Sequence, residues 1–462
     1  MMIKATPFLL LIIIIIPGCI GPKYVVPHHP LPSLYTQQHS ATSCENTLAN
    51  WWYHFNDPLL NSLIEKAIAN NYNLRIALER IEQARAFYQF KKAELFPQLD
   101  VVSQVSRTRF SNVLAQTSFL QNTNVSFFQL GFDGIWEIDV WGKIWRAKNA
   151  RFFEFQAQIE QMRDIYLILL ADVARTYVDL CVLQKRIHLL NRQIIIEKML
   201  VALQTDLYNA GLSSEIELKI QQQQLATTQN TLKSLQTLYI QSHNQLGVLL
   251  GINPEGVKIL PSKKIPLSLT ELATGIPSTL LRRRPDIRKV ERQLAAANEL
   301  VGQAIAEWFP SFSLLGSIGS ETSKGSDWFL GKSLTWSIGP SIRWPLINFG
   351  RIKAHIAERE SIKRQAILEY SQTIIQALQE VEDFLAAYFN NKEQYNILKQ
   401  KLEEASREQQ LVNFKFKSGL SNQLAALQAE KNRIFIELEF TTAQQQLSIN
   451  LIALYKALGG GW

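Results

Sequence analysis

Three cysteines, seven histidines, one near-match to a phosphate loop and a group of carboxylates around residue 210 are the parts of this 462-residue sequence that could carry chemistry. Cys19 has the clearest context. Lys4 precedes the apolar run Phe8 to Ile16, and Pro17-Gly18-Cys19 follows. The run is too short to span a bilayer and reads as an export signal, with residues 1–18 removed. The small Gly18 directly before Cys19 fits the variant in which the cysteine is lipidated and becomes the first mature residue. One acyl chain holds a protein to a membrane only marginally, so further anchorage is expected in the mature chain. Cys44 and Cys181 could pair in an oxidising compartment, but Cys181 lies in an apolar helical run and reads as an inert buried thiol. No CxxC or Cys/His spacing suits structural zinc, and no cofactor or metal is expected.

The other chemical motifs fail on context. Ser326 to Ser333, SDWFLGKS, has the Gly331-Lys332-Ser333 end of a phosphate loop but lacks its first glycine, and a strand pattern follows where a helix is needed. It reads as a strand-to-strand loop. The histidines are scattered and form no HExxH or triad pattern, so no enzymatic step is expected. Arg282 to Asp286, RRRPD, and the net charge of +8 would suit nucleic acid, but an exported chain does not meet it. Asp286 after Pro285 is explained by a helix start.

The carboxylates Asp206, Glu215 and Glu217 flank Gly211-Leu212-Ser213, and the same turn recurs as Gly419-Leu420-Ser421. That recurrence belongs to a larger one. Phe96-Pro97 returns 213 positions later as Phe309-Pro310, and the run from Asn73 matches that from Asp286 without a gap. At an offset of 208, Trp141-Gly142-Lys143-Ile144 matches Phe349-Gly350-Arg351-Ile352, Asp172-Val173 matches Glu380-Val381, and Leu250-Gly251 matches Leu458-Gly459. The chain is two copies of a unit of roughly 210 residues, far longer than a solenoid repeat. We divide it into a lead segment at 19–56, repeat 1 at 57–254, a linker at 255–276 and repeat 2 at 277–462.

Each repeat has two textures. Before Phe-Pro, Leu74, Ala77, Leu78, Ile81 and Ala84 keep helical spacing, and the pattern resumes after Gly142 and Gly350 for more than about sixty residues, some 90 Å of helix. These helices are rich in Gln, Ala and Leu and carry no continuous apolar run, so they are water-bathed and need neighbours along their length. Ser214 and Glu217 read as a capping box opening the helix after the first turn. Between Phe-Pro and the long helix the period becomes two, within about 97–141 and 310–347. Leu130, Phe132, Trp136, Ile138 and Val140, and Leu334, Trp336, Ile338 and Ile342, line one face each. Four strands of about ten residues with one apolar face match membrane-barrel strands, and Trp136, Trp141, Trp336 and Trp344 suit an interfacial girdle. A soluble sheet packing its apolar face on a core would alternate in the same way, and Pro340 and Pro345 fit either kind of strand poorly. Four strands cannot close, and open edges are not tolerated in lipid, so copies must complete the wall. A dimer would fill its interior with side chains, whereas a trimer would leave a lumen.

Cys19-Ile20-Gly21-Pro22-Lys23-Tyr24, the run WWYHFNDPLLNSLIEKAIANNYNLRIA from Trp51, LLRRRPDIRKVE from Leu280, both Phe-Pro breaks and both Gly-Leu-Ser turns resemble the TolC-like outer-membrane factors, specifically their lipoprotein branch. The resemblance implies a mostly α fold with a membrane β part: a homotrimer in which a twelve-stranded β-barrel meets a twelve-helix periplasmic α-barrel. It implies passive export of small molecules across the outer membrane of a Gram-negative bacterium, delivered by an inner-membrane pump through a periplasmic adaptor. The tips Gly211, Leu212, Ser213, Gly419, Leu420 and Ser421 would dock the adaptor. The family carries acidic gate residues after the second turn; here Ala425 and Gln428 stand there, leaving Asp206, Glu215 and Glu217 of repeat 1 to form an acidic ring. A protein-secretion conduit of the same fold and a non-channel periplasmic scaffold lipoprotein are the alternatives.

Overall fold

Proline, glycine and capping side chains set the element boundaries. The computed structural model describes residues 20–28, 30–32, 35–36, 50–109, 124–256, 264–268 and 277–460. Helix α1 (Pro58–Asn70) begins on Asp57, whose carboxylate accepts from the amides of Leu59 and Leu60 at 2.9 and 3.2 Å. Pro58 at the first helical position loses no hydrogen bond there. Helix α2 (Tyr72–Ala93) follows. Asn71 separates the two helices, its side chain accepting from the Leu74 amide at 3.1 Å. Strands β1 (Gln98–Arg109) and β2 (Asn124–Ile138) precede α3 (Lys143–Asn209) and α4 (Glu215–Leu249). Repeat 2 runs through α5 (Pro277–Arg283), α6 (Pro285–Ala306), β3 (Ser311–Thr322), β4 (Leu334–Arg343), α7 (Arg351–Lys417) and α8 (Gln423–Ala457). Helices α3 and α7 each have 67 residues, about 100 Å at 1.5 Å per residue. Among the described residues no helix is long and apolar enough to cross a membrane.

Strand β2 starts earlier and stops sooner than the alternation from Leu130 to Trp141 implies. Its end is a turn, with the Val140 amide on the Ile138 carbonyl at 2.9 Å and Gly142 at φ 77°. Cys181 is buried in α3. Cys19 and Cys44 lie outside the described residues.

The chain divides into two compact units. One comprises Met1–His28, Arg80–Gln158 and Lys289–Tyr370. Its sheet is antiparallel in the order β1-β2-β3-β4. Gln98 lies opposite Ile135 in the first hairpin, and Ser311 lies opposite Arg343 in the second. Offsets of 213 and 208 carry the first pair onto the second, so the duplication seen in the sequence is repeated in strand register. Below the strands a buried ion pair joins the repeats, Arg146 Nη1 to Glu299 Oε1 at 3.0 Å with both side chains under a tenth exposed. The same guanidinium donates to the carbonyls of Gly21 and Pro22, each at 3.3 Å. Gly21, at φ +106°, approaches so closely that a Cβ would sit 2.6 Å from the Gly302 Cα.

The other unit comprises His29–Glu79, Ile159–Arg288 and Ser371–Trp462. Within it α3 offers two apolar rows. Leu183, Leu190 and Ile194 pack on Leu232 and Leu235 of α4. Leu189, Ile196 and Leu200 pack on Ile434 of α8. A helix with one row for each of two neighbours is a stave of a wall. Asn71 donates to the Leu249 carbonyl at 2.9 Å and Arg284 to the Ala457 carbonyl at 3.0 Å, which are equivalent bonds in the two repeats.

Candidate functional site: a two-faced sheet and two helix tips

Strand register sorts the sheet side chains into two faces. Across the four strands one face carries the rows Leu99/Gly134/Gly316/Ile338 and Val101/Phe132/Ile318/Trp336, followed by Trp136/Leu314/Pro340 and Ile138/Phe312/Ile342. The other face carries Asp100/Asp133/Ser317/Ser337, Gln104/Gln129/Glu321 and Glu137/Ser313/Ser341. Its polar groups bond across strands: Ser317 to Ser337 at 2.8 Å and Gln129 to Glu321 at 3.3 Å. Gly131 and Gly319 face each other on this side, where a Cβ on Gly131 would lie 2.9 Å from the Gly319 Cα. Much of the apolar face is open: Leu99, Val101, Trp336, Ile338 and Ile342 are all exposed. That is the wrong way round for a sheet in water and the right way round for one in lipid.

The tryptophans at the strand ends are fixed to backbone. Trp136 Nε1 donates to the Leu95 carbonyl and Trp344 Nε1 to the Trp308 carbonyl, both at 3.0 Å, again one bond made in each repeat. Trp141 Nε1 donates to the Pro310 carbonyl at 2.9 Å. An indole anchored at its N–H with its ring body exposed is the geometry of an interfacial girdle. Pro340 lies inside β4, opposite Leu314.

The two turns expected at the helix tips have one construction. Gly211 (φ +68°) and Gly419 (φ +74°) are left-handed, and the amides of Leu212 and Leu420 reach back to the Leu207 and Lys415 carbonyls, each at 2.8 Å. This is the Schellman closure of a helix end. Leu212 and Leu420 are both exposed. The capping box forms: the Glu217 amide donates to Ser214 Oγ at 3.3 Å, and the Ser214 backbone bonds the Glu217 carboxylate in return. The Ser213 hydroxyl, first of all, then that backbone bond and the Gln204 amide at 3.1 Å hold the Glu217 carboxyl below the usual range. Asp206 lies in the last turn of α3 and Glu215 opens α4, so the structure places all three carboxylates of repeat 1 at one hairpin end. Repeat 2 caps with Asn422, which accepts from the Ala425 amide at 2.9 Å.

Arg284 shows what RRRPD does. Its guanidinium bonds Asp286 at 2.7 and 3.0 Å and Glu380 at 2.8 Å, and although burial opposes its charge these partners raise its pKa. It sits in a charged cleft of about 420 Å³ with Asp172, Arg175 and Lys456. The Lys332 ammonium pairs with Asp327 at 2.9 Å within the β3–β4 loop. Sequence reasoning missed Arg146, Glu299 and the clasp at Asn71 and Arg284. The clasp had a signal, since Asn71 and Arg284 stand 213 apart in the aligned repeats, but the Arg146–Glu299 pair had none.

A sheet with one face for lipid, one for water and both edges open, in a chain with helices of about 100 Å and, among the described residues, no helix apolar enough to cross a membrane, defines a subunit of a membrane channel. The sequence model of the family described as outer membrane efflux protein matches residues 63–252 and 276–460. The solvent efflux pump outer membrane protein SrpC of Pseudomonas putida is 31% identical, with 96% of each chain covered. Outer membrane protein OprJ of Pseudomonas aeruginosa is 30% identical over 89% of this chain and 86% of its own. The solved outer-membrane channel OprN is 28% identical with a TM-score of 0.86, covering 96% of this chain and 100% of that one. The open-state MtrE channel of Neisseria gonorrhoeae is 25% identical with a TM-score of 0.82, covering 96% and 98%. The chain belongs to the outer membrane efflux protein family. It has the TolC-like channel fold and is the outer-membrane component of an efflux pump in a Gram-negative envelope.

Proposed function

We propose that three copies close their sheets into one twelve-stranded barrel and gather their helices into a tunnel, giving a passive exit duct for small apolar compounds. The observation that carries this reading is the sheet itself, whose β1 and β4 edges are unpaired while its two faces suit lipid and water. In lipid each unpaired backbone group costs several kcal/mol, so the edges must meet other copies. Twelve strands leave a lumen where eight would not. Apolar cargo is supported by relatives named for solvent and toluene efflux. No chemical step is assigned to the chain: an inner-membrane pump supplies the energy. A periplasmic adaptor docks on Gly211-Leu212-Ser213 and Gly419-Leu420-Ser421. Lipid on Cys19 supplements the barrel as an anchor. Asp206, Glu215 and Glu217 from three copies ring the tunnel end and favour cations there.

The test is export from cells that keep a cognate pump and adaptor but lack their outer-membrane component. Expression of this chain should restore efflux of a preloaded apolar fluorescent dye. Unchanged retention, with the chain present in the outer membrane, would refute the reading.

A further inference from the structure

The loop between β3 and β4 carries the SDWFLGKS run, which passive export leaves without a role. It leaves β3 after Thr322 and re-enters the sheet at Leu334, at the end opposite the one where α2, α3, α6 and α7 join the strands. In an outer-membrane channel whose helices extend into the periplasm, this end faces the cell exterior.

Strand register shows which side of the sheet the loop covers. Phe128, Ser320 and Thr322 belong to the face that carries Phe132 and Ile318, the lipid face. The loop touches all three. The Trp328 ring packs on Phe128 with centroids 5.4 Å apart, and the Ser320 hydroxyl donates to the Trp328 carbonyl. The Lys324 amide donates to the Thr322 hydroxyl at 3.2 Å, and a Cβ on Gly325 would lie 3.5 Å from the Phe128 ring. On the polar face at this level Gln129 and Glu321 bond each other. The loop is folded outward onto the lipid side.

Its depth follows from strand length. Ile138 and Phe128 lie ten positions apart on β2, about 33 Å at about 3.3 Å per residue. Tilted by about 40°, that length stands about 25 Å tall, the height of the apolar band of a membrane barrel. Phe128 therefore marks the outer margin of the hydrocarbon, and the loop above it lies among lipid head groups. Phe329 projects there, 83% exposed and stacked on Trp328, with Leu330 exposed beside it. Both bury apolar surface at the edge of a bilayer.

Basic groups accompany them. Val105 is opposite Phe128, and beyond it the lipid-face positions of β1 become Arg107 and Arg109, opposite Ser126 and Asn124. Both are exposed, as is Lys324 in the loop. Lys332 is matched by Asp327, and Glu321 belongs to the polar face, so the rim on the lipid side is net positive. Arginine is costly on a barrel's lipid face at mid-depth and tolerated at the interface, where its stem lies along apolar surface and its guanidinium reaches phosphate.

We infer that this outer rim binds a phosphate-bearing lipid of the outer leaflet, with Phe329 and Leu330 entering the acyl margin and Arg107, Arg109 and Lys324 holding the phosphate. Charge complementarity and continuity with the apolar face identify a lipid as the occupant. The inference goes beyond the export reading: it requires only that the sheet sit in the membrane, so its failure leaves the dye-export test untouched.

Two readouts test it in full-length protein reconstituted into vesicles of phosphatidylcholine and phosphatidylglycerol. Phe329→p-benzoylphenylalanine, irradiated in the bilayer, should gain the mass of one phospholipid. Native mass spectrometry of protein released in detergent should find phosphatidylglycerol retained in preference to phosphatidylcholine. At about fivefold in affinity per basic residue near an anionic surface, Arg107→Gln with Arg109→Gln should cut that preference by about twenty-five-fold. Arg107→Lys with Arg109→Lys should keep most of it, and Arg364→Gln on α7 should leave it unchanged. No adduct, or an adduct on protein in place of lipid, would overturn the site. So would a parent without preference between the two lipids, or a preference that survives the glutamine pair. Equal loss with the lysine pair would assign the effect to damaged folding and overturn the site as well.

Discussion

Removing Arg146 exposes what holds the lead segment to the strand–helix junction. Arg146→Met takes away the cation facing Glu299 at 3.0 Å while leaving that carboxylate in place with its side chain 7% exposed. Breaking a buried pair from one side costs about 3–5 kcal/mol, because the remaining charge has neither partner nor water. The two bonds to the Gly21 and Pro22 carbonyls are lost as well. Unfolding entropy of about 2.1 cal/mol/K per residue gives roughly 1 kcal/mol/K for a chain of this size, so Tm should fall by about 3–5 °C. Replacing both partners, Arg146→Met with Glu299→Leu, removes the orphaned charge and should recover most of the loss, since apolar substitutes for a buried pair are often neutral. Glu299→Gln keeps an acceptor and should fall between. The assay is circular dichroism at 222 nm through a thermal ramp in detergent, with hydrogen exchange at residues 20–24 as a local readout. A single mutant that melts with the parent, or a double mutant as damaged as the single, would refute the reasoning that charge burial dominates at this joint.

Gly211 and Gly251 share φ +68°, but a Cβ at Gly211 meets nothing within 4 Å and one at Gly251 lies 2.3 Å from the Asn70 carbonyl oxygen. Gly211→Ala should therefore cost about 1 kcal/mol of conformational strain, and Gly251→Ala that plus about 1–3 kcal/mol of overpacking, read as successive drops in Tm. Burial raises the Asp172 carboxyl, with Lys456 and Arg175 acting against it. A folded-state pKa above the unfolded one favours the folded state at low pH and loses that advantage as pH rises. Asp172→Asn should accordingly raise Tm at pH 7, and its lead over the parent should shrink as pH falls into the carboxylate range. On the polar face of the sheet Asp100 lies directly opposite Asp133. Their replacement by asparagine in both positions should lower the preference for potassium over chloride, measured as a reversal potential moving toward zero in a salt gradient.

Local signals carried most of the architecture into the sequence. Gly142, Gly211, Gly350 and Gly419 stand one residue to a few residues outside the ends of α3 and α7, because those ends need left-handed residues that glycine supplies. Strand faces were legible from period two, and the offsets of 213 and 208 reappeared unchanged in strand register. What stayed hidden was non-local. Asn71 splits two helices by side-chain capping, which a residue neither proline nor glycine hardly advertises. Strand β2 begins at Asn124 because β1 pairs with it there, Arg109 opposite Asn124, and β3 joins from Phe128, although Phe127 and Phe128 interrupt its alternation. The Arg146–Glu299 pair joins residues 153 apart with no periodic pattern between them. At the tips, the three carboxylates of repeat 1 were readable as a group, but the bonding of Glu217 to Ser213 and Gln204 depends on a turn that only the folded hairpin provides.

Single-channel recording tests the central claim most directly. Purified protein added to one side of a planar lipid bilayer should give discrete, long-lived conductance steps of uniform size, larger after the helix tips are trimmed by limited proteolysis. A bilayer that stays silent with both intact and trimmed protein inserted would contradict the account of a chain whose copies close into a water-filled wall.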